Sequence, residues 1–337
     1  MSDIYVLITV PFPEPLVERL KVVSPRLQIH VHPAPRSEDL PEELLPDIEI
    51  LYTLWAMPDP EAVPELRWIQ FHFAGIERLA DHPLLSSEVK VTTLSGAAVP
   101  QMAEFALMSM LALGRKLPVM MADPPEVRWD ENRYRKYEPT ELRDSTVGIL
   151  GYGSIGREVA RLCREFGAKV LAIKHDLKHL QDEGYTLEGT GDPGGDIPDR
   201  LYPPQALRSM VPLCDFLVVT VPLTSETRGM VSSAIFEAMK TTAHLVDISR
   251  GGVVDHGALV EALATEKLAG AALDVYPAEP LPETSPLWEL PNVILSPHVA
   301  GASEHYYERA AALFAENLHR YLSERPLLNL YHPEKGY

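Results

Sequence analysis

The chain has 337 residues, which at roughly 150 residues per domain suggests two domains. Its 30 basic and 48 acidic residues give a formal net charge of −18, which opposes binding to phosphate backbones and anionic lipid. Nucleic-acid and membrane partners are therefore not expected. The 46% hydrophobic and 23% charged residues are typical of a globular chain and exclude a disordered one.

The two cysteines, Cys163 and Cys214, lie in apolar segments and form no CxxC or Cys/His cluster. A disulfide framework and a metal site are therefore not expected, and both side chains are interpreted as small buried hydrophobes in a reducing compartment. The most apolar run, 105–113, is far too short to span a bilayer. The sequence predicts a cytoplasmic protein.

The first hundred residues alternate between strand-like and helix-like segments. This pattern predicts a parallel sheet covered by helices. The predicted strands are 4–9, 27–31, 48–52, 68–71 and 89–93, and the predicted helices are 15–22 and 75–80. The apolar segment 99–113 predicts a long, largely buried helix that leads into a second domain.

A second alternation begins at residue 145. The predicted strands are 146–150, 169–173, 216–220, 243–247, 270–273 and 292–295, and the predicted helices are 154–166, 204–210, 232–239 and 256–265. Residues 120–140 are interpreted as a solvent-exposed segment, and the alternative is that they form a dimer contact. Residues 182–204 are rich in Gly and Pro and are interpreted as a surface insertion. The last helix, 303–322, is expected to return to the first domain.

The sharpest local signal is the run VGILGYGSIG at residues 147–156, between a predicted strand and a predicted helix. Gly151 permits a tight turn, Gly153 lets a pyrophosphate approach the backbone, and Gly156 allows the helix to pack closely on the strand. The free N–H groups at the helix start, around Ser154 and Ile155, would face the anion. The context of the motif predicts a dinucleotide site.

The strand that follows ends in Lys174 and His175, with Asp176 one position further along. A cofactor without a 2′-phosphate usually meets an acidic residue here, whereas cations suit a 2′-phosphate. The sequence therefore favours NADP(H) over NAD(H). The alternative is that Lys174 is solvated and Asp176 turns back to the ribose.

Three polar segments follow, or end, predicted strands: DISRGG at 247–252, DVYPAEP at 274–280 and SPHVAG at 296–301. Ligands of open parallel sheets bind at the carboxyl ends of the strands, so one rim gathers Arg250, Glu279 and His298. Each alone has an ordinary explanation: a surface arginine, a solvated loop carboxylate, and one of twelve histidines. Their shared placement favours a functional site.

With these segments the sequence resembles the D-isomer-specific 2-hydroxyacid dehydrogenases over nearly its whole length. The resemblance also includes FAGI at 73–76, residues 95–104 and VPLTSETRG at 221–229. Glu279 follows Arg250 by 29 residues and His298 follows Glu279 by 19, both in keeping with that family. The ordered set is much more specific than the glycine motif alone.

The resemblance implies an α/β protein of two doubly wound domains with the active site between them. Residues 1–101 and 300–337 would form a flavodoxin-like substrate domain, and residues 102–299 a Rossmann dinucleotide-binding domain. It also implies a homodimer without a metal.

The same resemblance assigns the chemistry to three side chains. Arg250 would bind the substrate carboxylate and polarise the carbonyl, a task suited to a permanently charged planar fork. His298 would donate a proton to the carbonyl oxygen as hydride arrives and accept one in reverse. Glu279 would hydrogen-bond His298 and favour its charged form.

Other contacts are implied by position. The backbone of Ala74 and Gly75, beside Phe73, would clamp the carboxylate, and Asp274 would meet the nicotinamide carboxamide. The remaining cofactor contacts would be Val221, Pro222 and Thr227 on the adenine side, Ile248, Ser249 and Arg250 on the nicotinamide side, and His298 and Gly301. Three residues depart from the family pattern: Asp247 replaces a usual asparagine, Phe73 a small polar residue, and Lys174 the aspartate of many NAD users.

The predicted function is reduction of a small 2-oxo acid, such as glyoxylate, hydroxypyruvate or a longer analogue, to a D-2-hydroxy acid. The alternative is a dinucleotide-sensing binding protein like the family's corepressors, which can retain the same three residues. The acidic charge opposes a chromatin role. Formate or phosphite oxidation is disfavoured, because formate-oxidising relatives tend to carry glutamine where Glu279 stands.

Overall fold

The computed structural model describes residues 3–182 and 184–334 and divides into two compact units. One unit consists of Met1–Ala98 with Ser303–Tyr337, and the other of Val99–Ala302. The predicted boundaries, 101 and 300, differ from the observed 98 and 303 by three residues each. Each unit has one parallel sheet, so the predicted α/β class with two doubly wound domains is confirmed.

The first unit has a five-stranded sheet in the order β2-β1-β3-β4-β5, which is the flavodoxin-like order. Fully buried Tyr52 and Trp68 show that apolar strand residues form its core. The strands are β1 (Ile4–Ile8), β2 (Leu27–Val31), β3 (Ile50–Thr53), β4 (Trp68–Phe71) and β5 (Lys90–Thr92), and the helices are α1 (Glu14–Lys21) and α10 (Tyr306–Leu322).

One helix predicted in this unit is absent. Residues 75–80 form only a 3-10 turn at Glu77–Leu79. Ile76 is the one fully buried side chain of that stretch, and Leu79 is partly buried against the same apolar cluster. Two apolar contacts are too few to stabilise a longer helix.

The second unit has a seven-stranded parallel sheet in the order β12-β11-β10-β9-β6-β7-β8. This is the Rossmann order with one further strand at the β12 edge. The strands are β6 (Thr146–Leu150), β7 (Lys169–Ile173), β8 (Arg200–Tyr202), β9 (Phe216–Val219), β10 (His244–Asp247), β11 (Gly270–Leu273) and β12 (Val293–Leu295). The helices are α2 (Val99–Gly114), α3 (Leu117–Ala122), α4 (Pro125–Arg128), α5 (Arg133–Lys136), α6 (Ser154–Glu165), α7 (Leu207–Met210), α8 (Ser233–Ala238) and α9 (His256–Ala264).

Helices cover both faces of this sheet. Since successive strand residues point to opposite faces, one strand contributes to the apolar cluster on each side. In β6, Val147 and Ile149 pack in one apolar cluster with α2 and α6. Leu150 packs in the other cluster, with α7, α8 and α9. Burial on both faces explains why the strands are apolar without alternation.

The interpretation of residues 182–204 as a surface insertion is wrong in two respects. Its last residues form the edge strand β8, paired in parallel with β7. Gly191 and Asp192 are buried. A strand of three residues within a Gly/Pro-rich stretch has no readable period, which is why the sequence did not predict it. Glu183 lies outside the described residues.

Neither a membrane-crossing helix nor a metal-binding cluster occurs in the described residues. No helix in residues 3–182 and 184–334 is both long and apolar enough to cross a membrane. The same ranges contain no group of three or more His, Cys, Asp or Glu residues placed to hold a metal ion. Cys163 and Cys214 are buried, and burial raises the pKa of each thiol to about 12.

Candidate active site

The glycine motif forms a turn between β6 and α6 that fits a dinucleotide. A Cβ built on Gly153 would meet no described atom within 4 Å, so the backbone there is open to a ligand. A Cβ on Gly156 would lie 2.0 Å from the carbonyl oxygen of Gly151, so α6 packs on the turn too closely for any side chain. Helix α6 begins at Ser154 without a side-chain cap, which leaves its first N–H groups for an anion. The residues present therefore fit the pyrophosphate of a nicotinamide dinucleotide.

The segment after β9 lies against this turn. The Thr220 hydroxyl donates to the carbonyl oxygen of Gly151 over 2.8 Å. Beyond it, the hydroxyl of Thr227 donates to the carbonyl oxygen of Pro222 over 2.6 Å and closes a turn of its own. Val221 and Pro222, both half-buried, therefore sit beside the glycine motif, where the sequence analysis expects the adenine side.

The loop after β7 carries Lys174, His175, Lys178 and His179. Asp176 lies near the start of this loop, and both of its carboxylate oxygens have local partners. Oδ1 accepts from the Lys178 amide over 2.8 Å, and Oδ2 lies 2.6 Å from His179 Nδ1. These contacts lower the pKa of Asp176 to about 2, the His179 hydrogen bond contributing most. The carboxylate is thus engaged within its own loop.

The segment after β10 is organised by the buried carboxyl group of Asp247. Its Oδ1 accepts from the Ser249 amide over 3.0 Å and from the Ser249 hydroxyl over 2.5 Å. Its Oδ2 is buried without a hydrogen-bond partner among the described residues. Burial raises the pKa of Asp247 to about 7, against the opposing effect of the Ser249 hydrogen bonds.

Arg250 follows directly and is half-buried, with Nη1 donating to the carbonyl oxygen of Ser249 over 2.8 Å. A Cβ on Gly251 would lie 1.8 Å from the carbonyl oxygen of Tyr276. The loop after β10 can therefore press against the loop after β11 only because residue 251 is glycine. This contact places Arg250 beside the segment that contains Glu279.

Glu279 and His298 form a hydrogen-bonded pair, with Glu279 Oε2 lying 2.8 Å from His298 Nδ1. Glu279 Oε1 accepts from the Tyr276 amide over 3.1 Å, which fixes the carboxylate from its own side. The His298 side chain is 46% exposed. With Nδ1 directed at the carboxylate, Nε2 is the ring nitrogen that can face a ligand.

His298 also has a backbone φ of +56°, a left-handed conformation that is uncommon for residues with a side chain. The surrounding hydrogen bonds hold it there. Asp274, only 2% exposed, accepts from the amides of Val299 and Ala300 and from the Ser296 hydroxyl, over 2.8, 2.9 and 2.6 Å. Such a conformation is a feature of functional sites in which neighbours fix the backbone.

Sequence reasoning missed Tyr276, whose hydroxyl donates to the carbonyl oxygens of Leu273 and Ser296, each over 2.9 Å. These bonds tie the end of β11 to the start of the histidine loop. The only signal was its place in the DVYPAEP segment. It also assigned Asp274 to the cofactor alone, although this carboxylate holds the histidine loop.

A cavity of about 430 Å³ adjoins the Glu279–His298 pair. Glu279, Ser296 and His298 line its polar part, and Leu281 and Trp288 are among its apolar walls. A cavity that is mostly apolar, with a few convergent polar groups, is typical of small-molecule sites.

Phe73, Ala74 and Gly75 belong to the first unit and follow β4. The Phe73 ring packs against Trp55 at a centroid distance of 4.3 Å, and Ala74 is exposed. Their assignment to the substrate carboxylate stays a prediction.

Comparisons with known proteins agree with this geometry. Residues 107–300 match the model of the D-isomer specific 2-hydroxyacid dehydrogenase, NAD binding domain. A glyoxylate reductase of Thermofilum pendens is 33% identical over 325 residues, 93% of this chain and 90% of that protein. A second relative, from Korarchaeum cryptofilum, is likewise named a glyoxylate reductase, and the corepressor alternative is not favoured.

Two solved structures share the whole fold. The first is a D-isomer specific 2-hydroxyacid dehydrogenase from Xanthobacter autotrophicus in complex with NADPH and MES. It has 27% identity, a TM-score of 0.79 and full coverage of both chains. An NADPH-dependent glyoxylate/hydroxypyruvate reductase from Sinorhizobium meliloti, in complex with NADP and sulfate, has 25% identity and a TM-score of 0.77 over 99% of this chain and 100% of that one. The chain therefore belongs to the D-isomer specific 2-hydroxyacid dehydrogenase family and is an NAD(P)-dependent oxidoreductase.

Proposed function

We propose that this enzyme reduces a small 2-oxo acid of the glyoxylate or hydroxypyruvate kind to its D-2-hydroxy acid, with NADPH as the preferred reductant. The observation that carries the proposal is the hydrogen bond between Glu279 and His298 at 2.8 Å, at the edge of the sheet that also carries the glycine turn. The names of the Thermofilum and Sinorhizobium relatives support the substrate class.

When bound, the nicotinamide supplies the hydride for reduction and accepts it in reverse. Arg250 binds the substrate carboxylate and polarises the carbonyl group, and its charge persists at any physiological pH. His298 donates a proton from Nε2 to the carbonyl oxygen, so that the oxygen ends as a hydroxyl group. In the oxidative direction the same nitrogen takes the proton back.

Neighbouring residues hold the His298 imidazole in position. Glu279 orients the imidazole through Nδ1, and Tyr276 fixes Glu279 through its amide. Asp274 accepts from the Ser296 hydroxyl before His298 and from the Val299 amide after it. Positioning of this kind lowers the barrier because the acid need not reorganise during the reaction.

The cofactor would be held by Gly151, Gly153, Gly156 and the start of α6 at its pyrophosphate. Val221, Pro222 and Thr227 would lie on its adenine side, with Ile248, Ser249, Asp274 and Gly301 towards the nicotinamide. The backbone of Ala74 and Gly75, beside Phe73, would bind the substrate carboxylate together with Arg250. Exposed Ala74 and the open space at Gly153 support these assignments.

The preference for NADP(H) rests on the loop after β7. Lys174 and His175 come first along this loop, and Asp176 is engaged with the Lys178 amide and His179. A carboxylate tied into its own loop supports a site for phosphate rather than for two ribose hydroxyls.

A homodimer is part of the same proposal. Three large side chains on or beside α3, α4 and α5 are strongly exposed: Met121 at 69%, Trp129 at 78% and Tyr134 at 78%. Exposed apolar side chains grouped on one segment favour a protein interface. Light scattering of the chain and of a Trp129→Asp variant tests this, and a monomeric wild-type chain would refute it.

The main test measures reduction of a panel of 2-oxo acids by absorbance, with NADPH and NADH in parallel. We expect glyoxylate or hydroxypyruvate to be reduced, and NADPH to be favoured by at least about tenfold in kcat/KM. Equal or better rates with NADH would refute the cofactor preference. Activity restricted to L-hydroxy acids in the oxidative direction would refute the reaction itself.

A further inference from the structure

A cluster of three buried side chains joins the glycine turn to the Gly-rich segment 184–199. Tyr152 stands between the first two glycines of the motif, and its hydroxyl donates to Asp192 Oδ2 over 2.5 Å. Arg157, on the second turn of α6, is 1% exposed, and its guanidinium lies 4.9 Å from the centre of the Tyr152 ring. We call Tyr152, Arg157 and Asp192 the anchor cluster.

Asp192 is the centre of this cluster and is fully used as an acceptor. Besides Tyr152, it accepts from the amides of Ile197, Asp196 and Gly195 over 3.0, 3.1 and 3.2 Å. Burial alone would raise the pKa of Asp192, but the Tyr152 and backbone hydrogen bonds lower it below the ordinary value. The Gly-rich segment is therefore wrapped around an ionised carboxylate under the cofactor turn.

Arg157 connects the same cluster to the loop after β7. Its guanidinium donates to the carbonyl oxygens of Asp192 and of Leu180. Its Nε lies 3.6 Å from Asp182 Oδ2, and the Asp182 amide donates to the carbonyl oxygen of Pro193 over 3.1 Å. The end of the loop is thus bound to α6 and to the Gly-rich segment at once.

The beginning of that loop is also fixed, because the Lys174 amide donates to the carbonyl oxygen of Tyr202 on β8 over 3.0 Å. Lys174, His175, Lys178 and His179 therefore lie on a short loop with both ends anchored. A loop held in its binding conformation loses less entropy when a ligand binds.

We propose that the anchor cluster is a positioning device for the loop 174–182 and determines how strongly that loop binds the 2′-phosphate of NADP(H). This inference rests on the proposed preference for NADP(H). Tyr152, Arg157 and Asp192 act through the loop backbone, whereas Lys174 and His175 provide the charge. The Gly/Pro-rich segment is then a part of the cofactor site that stands outside the glycine motif.

The test compares two probes that differ only in the relevant group, adenosine 2′,5′-bisphosphate and 5′-AMP. Their dissociation constants are measured by titration calorimetry with the full chain and with the variants Tyr152→Phe and Asp192→Asn. Loss of one hydrogen bond to a charged group is expected to weaken binding of the bisphosphate about tenfold. Binding of 5′-AMP should change by less than about twofold, which lies within the usual scatter of remote substitutions.

The matched control is Tyr321→Phe, which removes a tyrosine hydroxyl that donates to the Glu49 carboxylate over 2.6 Å in the other unit. This variant makes the same chemical change as Tyr152→Phe, and it should leave the dissociation constants of both probes unchanged. Hydrogen exchange gives a second readout, since amides of residues 174–182 should exchange faster in Tyr152→Phe while those of β7 do not.

The outcomes separate this inference from the function on which it rests. If the wild-type chain does not prefer the bisphosphate over 5′-AMP, the NADP(H) preference fails and the inference fails with it. If the wild-type chain prefers the bisphosphate and both variants keep that preference, the inference alone is overturned. Equal weakening of both probes also overturns it, because the cluster would then support the whole adenosine site.

Discussion

Two loops at the carboxyl edge of the seven-stranded sheet are each held by a buried aspartate, but the aspartates come from different places. The histidine loop, 296–301, is held by Asp274 at the end of the neighbouring strand β11. The loop after β7 is held through Asp192, which lies in the Gly-rich segment and acts with α6. One loop is thus fixed by its neighbour in the sheet, and the other by residues that pack beneath the cofactor turn.

This difference separates two kinds of control over the enzyme. Under the proposed function the histidine loop carries the proton donor, so substitutions there should impair the chemical step. The loop after β7 would lie at the adenosine end of the cofactor, so substitutions there should change cofactor affinity and leave the chemical step unchanged. We therefore expect the largest effects at His298 and smaller ones at Lys174.

The largest expected effect belongs to His298→Asn. An asparagine has no acidic N–H that could give a proton to the carbonyl oxygen. We therefore expect kcat to fall by about 10²–10⁴-fold, the usual contribution of a positioned acid. Steady-state rates with the preferred 2-oxo acid measure this loss.

The control for this prediction is His305→Asn. His305 also lies near a glutamate, with Nδ1 3.3 Å from Glu308 Oε2, but it belongs to the first unit, just before α10. Its loss should leave kcat unchanged. A His298 variant that keeps more than about a tenth of the wild-type rate would remove the imidazole from its proposed role.

Glu279→Gln should have a smaller effect on the same step. A hydrogen bond to a charged group is worth about 1.5–3 kcal/mol, and partial exposure of His298 favours the lower end. We therefore expect a loss of about tenfold in kcat/KM. The split between kcat and KM distinguishes this role from a structural one, because loss of the carboxylate should lower kcat and leave the KM for NADPH within about twofold. A raised KM for NADPH with an unchanged kcat would contradict it.

Much of the fold follows from the sequence, because most strands are runs of β-branched and aromatic residues bounded by turns. Strands β2, β4, β6, β7 and β11 have the predicted bounds. Strand β8 was not predicted, because its three residues, Arg-Leu-Tyr, are too few to show a period. The helix predicted at 75–80 is wrong, because too little of that segment packs against the core to stabilise a helix.

The site was predictable where its parts follow strands in order. Arg250, Glu279 and His298 follow β10, β11 and β12, so the rule for parallel sheets brings them to one edge. The partners of Arg157 were not predictable in this way. They lie 23 and 35 residues away in a Gly/Pro-rich stretch, and no periodicity indicates that such a stretch turns back under α6.

Lys174→Ala addresses the adenosine end. Removing one cation from a phosphate site should raise the KM for NADPH about tenfold and leave the KM for NADH within about twofold, with kcat unchanged for both. Lys169→Ala is the matched control, because Lys169 is an exposed lysine at the opposite end of β7. An equal rise in KM for both cofactors would show that Lys174 does not bind the 2′-phosphate.

The smallest expected effect concerns Asp247, which stands between the two loops at the end of β10. Burial raises its pKa to about 7, whereas an unfolded aspartate titrates near about 3.9. Between these values the folded protein holds a proton that the unfolded chain has released, so the free energy of unfolding falls as the pH rises through this window.

Asp247→Asn removes that pH dependence while keeping an acceptor for the Ser249 amide. The rise in the pKa of Asp247 from about 3.9 to about 7 sets an upper limit of about 4 kcal/mol on the stabilisation. The new amide hydrogens lack an acceptor where Oδ2 has no partner among the described residues, so the free energy of unfolding should rise by about 1 kcal/mol at pH 8. The gain should be smaller at pH 5, because the folded carboxyl group is then protonated, and it should be lost below about pH 4, where the unfolded chain is protonated as well. Urea unfolding at both pH values measures it, with the exposed Asp81→Asn as control. A difference between variant and wild type that is equal at the two pH values would mean that Asp247 does not titrate in this range, and the open Oδ2 would then need another partner.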